Sequence, residues 1–384
     1  MLKRLWMSFV VVMFFVSALF SSQANAANTI PGGPSTNGNT SMDSMITYDD
    51  MIKELKKIEH TSKGKVEVFT LDEYGKSEQN RSFYVAKVGT GPMKIWVQAQ
   101  IHGDEKLTTD AVLELLKTFG SNGSEDIEKI LKETTIYAIP MYNPDGSIMN
   151  TRTTVLHDEN GQPRVDNRGH AMTIDLNRDW GENGFQAKES LVFYKYWADV
   201  KPDFAVDLHH QGFKTVYGTN DSTSMSLGVS LAPNGPTLPS IKDGLYNDLT
   251  RQMNVYVYDA LKDYGYMHID RYQTGSGDKR YEIDIKGGVV SAMMMGLNYD
   301  NINPTNHSNP AIFFETKGNT RDGNLGQKSN GHLIKQNYLG LKALLYGLVT
   351  GEVEKVNPNR WDEEIPTYPL AGYQTDSGIV PVGY

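Results

Sequence analysis

Four apolar stretches, each running straight into a polar and chemically capable end, constrain this chain more than any other feature. They are residues 94–105 (KIWVQAQIHGDE), 135–146 (closing on Asn143-Pro144-Asp145-Gly146), 202–212 (PDFAVDLHHQG) and 310–318 (PAIFFETKG). Between them lie segments with apolar residues at helical spacing: 108–119 (TTDAVLELLKTF), 188–200, 245–264 and, after the last, 333–348. Strands alternating with amphipathic helices predict an α/β fold, a single domain with one mixed β-sheet sandwiched by helices. In such sheets ligands gather where strands end, so four functional strand ends predict one site. A further helix is expected at 48–60 and strands at 66–71 and 81–88, whereas 147–172 and 275–309 read as irregular loops.

Composition narrows the chemistry. There are 384 residues and no cysteine, so a thiol nucleophile, a disulfide and a Cys-ligated metal are excluded, and any metal must use His, Asp or Glu. The net charge of −9 gives no basic footprint for nucleic acid. Residues 1–26 read as a secretory signal: Lys3 and Arg4, an apolar run from Leu5 to Phe20, and a cleavage site at Ala24-Asn25-Ala26. Residues 27–45, rich in Asn, Ser, Thr, Gly and Pro, read as a flexible leader. The domain is expected over 46–350, followed by an extended tail at 351–384. The mature protein is expected to be extracellular or cell-wall associated, monomeric and without stable membrane association.

His102 and Glu105 stand three apart in the turn after the first stretch. An imidazole and a carboxylate at that spacing can hold one face of a divalent ion, although the same pair is often a simple surface ion pair. A catalytic zinc needs a third protein ligand, and His209 or His210 can supply it. Side chains alternate along a strand, so only one of the two should face the metal. Asp207 shares the face of His209 and could orient it. The other six histidines lie in polar or loop contexts.

Five motifs in order, His102-x-x-Glu105, Asn143-Pro144-Asp145-Gly146, Asp175-Leu176-Asn177-Arg178, the histidine after Asp207-Leu208, and Phe314-Glu315-Thr316, make residues 46–350 resemble the M14 zinc carboxypeptidases. The resemblance implies one zinc ion held by His102, Glu105 and His209, with a zinc-activated water and Glu315 as general base and then acid. It implies Asn177 and Arg178 as the anchor for a peptide's free C-terminal carboxylate. Arg152 is the choice for the oxyanion-stabilising arginine, ahead of Arg164 and Arg168 in the same loop. Tyr281, or else Tyr299, is expected as the substrate-capping tyrosine. Asp104 departs from the arginine of digestive members, and no room is seen ahead of residue 46 for a long inhibitory segment. The expected activity is that of a secreted metallocarboxypeptidase. The rivals are a cell-wall peptidase acting on γ-D-glutamyl or diaminopimelate peptides, a zinc deacylase, and a non-catalytic peptide-binding protein.

Overall fold

The computed structural model of the chain describes residues 41–181, 184–238, 244, 246–277, 279–318, 320 and 325–383. The expected signal segment and most of the expected leader lie outside these residues. Where the leader is described it is not loose: Met45 is buried with Leu107, Leu325 and Leu333, and Met42 packs against them.

Eight strands form the main sheet: β1 (Val66–Thr70), β2 (Tyr84–Val88), β3 (Met93–Ala99), β4 (Thr134–Ile139), β7 (Phe204–Gln211), β8 (Met225–Gly228), β9 (Ile269–Arg271) and β12 (Ala311–Lys317). Their spatial order is β1-β2-β4-β3-β7-β12-β8-β9. The centre is parallel, β4 with β3, β3 with β7 and β7 with β12, and the flanks include antiparallel pairs, so the sheet is mixed. The loop expected at 147–172 carries β5 (Thr154–Val155), which pairs antiparallel with β6 (Thr173–Ile174) just past it, and isolated antiparallel bridges at His157–Pro163 and Val165–Ala171.

Strand alternation splits the core in two. Ile95, Val97, Val206, Leu208, Ile312 and Phe314 point to one face. There they meet α1 (Tyr48–Thr61), α2 (Lys106–Ser121), α3 (Glu125–Glu133), α6 (Asn247–Leu261) and α8 (Gln327–Thr350). Trp96, Ala205 and Ala311 point to the other, under α5 (Lys188–Val200) and α7 (Val289–Met295). Each fully buried Leu, Ile or Val stabilises the fold by roughly 1.5–3 kcal/mol relative to exposure. On that second face the same alternation brings round Asp207, His209 and Glu315, and β7 and β12 pair His209 directly with Glu315.

Two expectations about irregular chain are corrected. Residues 275–309 contain β11 (Lys279–Asp284) and α7, and the preceding β10 (Thr274–Ser276) pairs with β11. The tail forms a 3-10 turn (Val353–Lys355) and a short helix (Arg360–Glu363), then a hairpin of β13 (Leu370–Thr375) and β14 (Gly378–Pro381), with β13 laid parallel to β11. A second, four-stranded sheet results.

Candidate metal centre and cleft

The turn after β3 is shaped by close backbone approach. A Cβ on Gly103 would lie 2.0 Å from the carbonyl carbon of Gly146, so the HGDE turn rests on the NPDG turn with no room for a side chain. The NPDG turn opens the short helix α4 (Pro144–Met149), where Asn143 accepts the Gly146 N–H at 2.8 Å. Lys106 locks the two turns together by donating to the Ser147 carbonyl at 2.7 Å.

Three ligand atoms converge there. His102 Nδ1 lies 2.8 Å from Glu105 Oε1, His209 Nδ1 lies 3.1 Å from Glu105 Oε2, and the two Nδ1 atoms are 3.2 Å apart. All three residues are buried, and among the described residues this is the group placed to hold a metal ion. The outer nitrogens are held too: His209 Nε2 lies 2.8 Å from Asp207 Oδ2, and His102 Nε2 lies 3.2 Å from Asp175 Oδ1. Each carboxylate accepts an N–H and so leaves the Nδ1 lone pair for the metal. Two nitrogens and a carboxylate, with one side facing a cleft, suit a zinc ion that keeps an open position. Burial opposes charge on all three ligands. Even so, the two imidazoles hold the Glu105 carboxyl well below its usual range. Asp207 and Glu105 together lift His209, and Glu105 with Asp175 lifts His102.

A cleft of about 60 Å³ opens beside these atoms, lined also by Arg152, Asn177, Arg178, Tyr272 and Glu315. Glu315 is buried, and its Oε2 has no hydrogen-bond partner among the described residues. Burial pushes its carboxyl up to about 8 against the pull of His209, with Glu105 adding to the rise. Arg152 reaches the cleft while Arg164 and Arg168 stay on the exposed part of the loop. Asp175 fixes the Arg152 fork, with Oδ2 accepting from Nε at 3.0 Å and ion-paired with Nη2 at 2.9 Å. Arg178 donates to the Asn177 carbonyl at 2.6 Å, and the Asn177 side chain accepts the Val289 N–H at 3.0 Å. The cleft thus seats the sequence-chosen His102, His209, Glu315, Arg152, Asn177 and Arg178 together, with Glu105 among the ligand atoms.

Neither tyrosine named from the sequence lines the cleft. Tyr281 lies on β11 opposite Thr274, outside the cleft lining. Tyr299 is built into an aromatic cluster, its hydroxyl donating to the Trp180 carbonyl at 2.8 Å. Tyr272 stands in the cleft instead, and burial beside Glu315 pushes its hydroxyl far above the usual value. No local pattern in the sequence marks Tyr272; it arrives through the pairing of β8 with β9. Asp175 was legible as the first residue of DLNR but not as the partner of both His102 and Arg152. His210, the alternative ligand, also lines the cleft, but neither ring nitrogen has a hydrogen-bond partner among the described residues, and burial pushes it down to about 4.

Residues 52–200 match the sequence model of the zinc carboxypeptidase family, peptidase M14. Carboxypeptidase A2 of Rattus norvegicus is 27% identical over 150 residues, 38% of this chain and 35% of that protein. Zinc carboxypeptidase A 1 of Drosophila melanogaster is 28% identical over 141 residues, 35% of this chain and 31% of that protein. The aligned part spans about a third of the length of these curated relatives. In fold, the chain resembles a metallo-carboxypeptidase from Burkholderia cenocepacia, with TM-score 0.52 and 16% identity over 81% of this chain and 70% of that one. It also resembles the carboxypeptidase A of Helicoverpa armigera, with TM-score 0.54 and 14% identity over 84% of this chain and 78% of that one.

Proposed function

We propose, from a chain whose residues 52–200 match the sequence model of the zinc carboxypeptidase family, that this protein is a metallocarboxypeptidase that removes C-terminal residues from peptides. One observation carries the reading: the three converging ligand atoms, a desolvated carboxylate with a free oxygen and an arginine anchor face a single cleft. Zinc held by His102, Glu105 and His209 would supply Lewis acidity, polarising the scissile carbonyl and acidifying a water.

The chain's own groups do the rest. Arg178, with Asn177 beside it, receives the terminal carboxylate, for which a planar guanidinium is the best-matched donor. Arg152, held by Asp175, presents donors toward the metal side, where charge develops on the carbonyl oxygen. Glu315 takes a proton on its unpartnered oxygen and returns it to the leaving amine. Its raised affinity for protons suits that shuttle near neutral pH. Tyr272, beside Glu315, closes the substrate side of the cleft. The reading includes export of the protein, supported by the signal-like pattern of residues 1–26.

The test is mass spectrometry of products from a peptide library offered with free and with amidated C-termini. The protein is used zinc-loaded, chelated, and as Glu315→Gln. Stepwise loss of residues from free C-termini alone, abolished by chelation and by the substitution, is the expected result. Absence of cleavage by metal-loaded protein sinks the reading, and cleavage only of muropeptides or acylated amino acids transfers the site to those substrates.

A further inference from the structure

If Arg178 holds the terminal carboxylate, the wall beyond it is what the last side chain of the substrate meets. That wall is Ile283, Ile285, Val290, Ser291 and Phe313. Strand alternation selects its chemistry. β11 turns Ile283 into the cleft and Asp284 away from it, where the carboxylate accepts the Thr237 N–H at 2.9 Å and Gly235 lies against it. None of the five residues of that wall carries an ionisable side chain.

Phe313 sets the depth. It lies two residues before Glu315 on the same face of β12, with its ring 5.3 Å from that of Tyr272 and 6.0 Å from that of His209. The ring is lodged against Gly228, where a Cβ would come within 2.1 Å of it, so it has no room to swing back. The cleft of about 60 Å³ has room for roughly four waters. Ser291, fully buried, brings a hydroxyl with no hydrogen-bond partner among the described residues.

We infer that the cleft takes a compact, uncharged C-terminal residue, of the size of alanine, valine, serine or threonine, and rejects basic, acidic and large aromatic ones. The inference rests on the carboxypeptidase reading. An ammonium or carboxylate in this wall would lose its water with no opposite charge to meet. An indole or phenol ring would have to displace Phe313. A hydroxyl-bearing residue would instead find Ser291.

The test is kcat/KM of the zinc-loaded full chain on peptides that differ only in the last residue: Ala, Val, Thr, Phe, Lys or Glu. Ala, Val and Thr are expected to fall within about tenfold of one another, and Lys and Glu at least about a hundredfold lower. Binding of the same peptides to Glu315→Gln, read by calorimetry, should follow the same order. Ser291→Asp is expected to raise the relative rate on the Lys peptide, with Ile283→Asp as a second variant nearer the surface in case the first does not fold. Preference for Lys, Glu or Phe in the native protein overturns this inference and leaves the carboxypeptidase reading standing. Cleavage of none of the six overturns both.

Discussion

Replacing Asp207 by Asn tests how the metal centre is held without touching a ligand. Asp207 Oδ2 lies 2.8 Å from His209 Nε2, and its other oxygen is buried with no partner among the described residues. A carboxylate accepts only, so it fixes the proton on Nε2 and the lone pair on Nδ1, the atom that faces Glu105 and His102. An amide keeps the shape but loses the charge. Set one way round, it buries an unpartnered NH2; set the other way, it donates to Nε2 and selects the wrong tautomer. Loss of such an outer partner lowers metal affinity about 10–100-fold, equivalent to roughly 1.4–2.7 kcal/mol. At free zinc a thousand times the native Kd, zinc stabilises the native protein by about 4.1 kcal/mol; the variant should retain only about 1.4–2.7 kcal/mol of that. Competition with a chromophoric chelator gives the affinities, and thermal unfolding with and without zinc gives the stabilisation. Activity should return as zinc is raised. A zinc Kd within twofold of native, or a defect that excess zinc does not repair, would refute the tautomer argument.

Other outcomes are expected. Glu315→Gln should lower kcat about 10²–10⁴-fold with zinc content unchanged, measured by steady-state kinetics and metal analysis. Arg178→Ala should raise KM for free-carboxylate peptides roughly 10–100-fold and erase the discrimination against amidated ones. In metal-free protein the Glu315 pKa is raised from 4.5 to about 8. The folded state therefore holds a proton that the unfolded state has released, and stability falls as pH rises through that interval. Unfolding midpoints between pH 5 and 9 should show this slope flattened in Glu315→Gln, and an unchanged slope would assign it elsewhere. Gly228→Ala should cost about 1–3 kcal/mol, because its Cβ would strike the Phe313 ring; a melt as stable as the native one would contradict that packing.

What could be read from the sequence follows from how local its cause is. Helix 188–200 was legible to the residue because its apolar spacing and flanks are in the segment itself. The centre of the sheet was legible because strands buried on both faces are written as apolar runs. His102, the His209–His210 pair and Glu315 stand out because each ends such a run, but the preference for His209 and the role of Glu315 rest on the resemblance in motif order, and the family match, which stops at residue 200, covers only His102. β10, β11 and the hairpin were not legible: their strands are short, and the pairing of β11 with β13 that unites them joins residues about ninety positions apart. Tyr272 was missed for the same reason, since its place depends on β9 lying beside β8 and not on its neighbours in sequence.

The hairpin bears on how the two halves of the cleft are supported. β11 carries Ile283, and its neighbour on one side is β13; Asp376, just past β13, accepts the N–H groups of Lys286 and Gly287 at 2.7 and 3.1 Å. The metal-binding half of the cleft rests on β7 and β12, whereas β11 has β13 as its parallel neighbour and so depends on residues 370–375 for that support. Proteolysis that clipped the hairpin from the finished protein would therefore strip β11, and Ile283 with it, of that neighbour while leaving β7 and β12 paired.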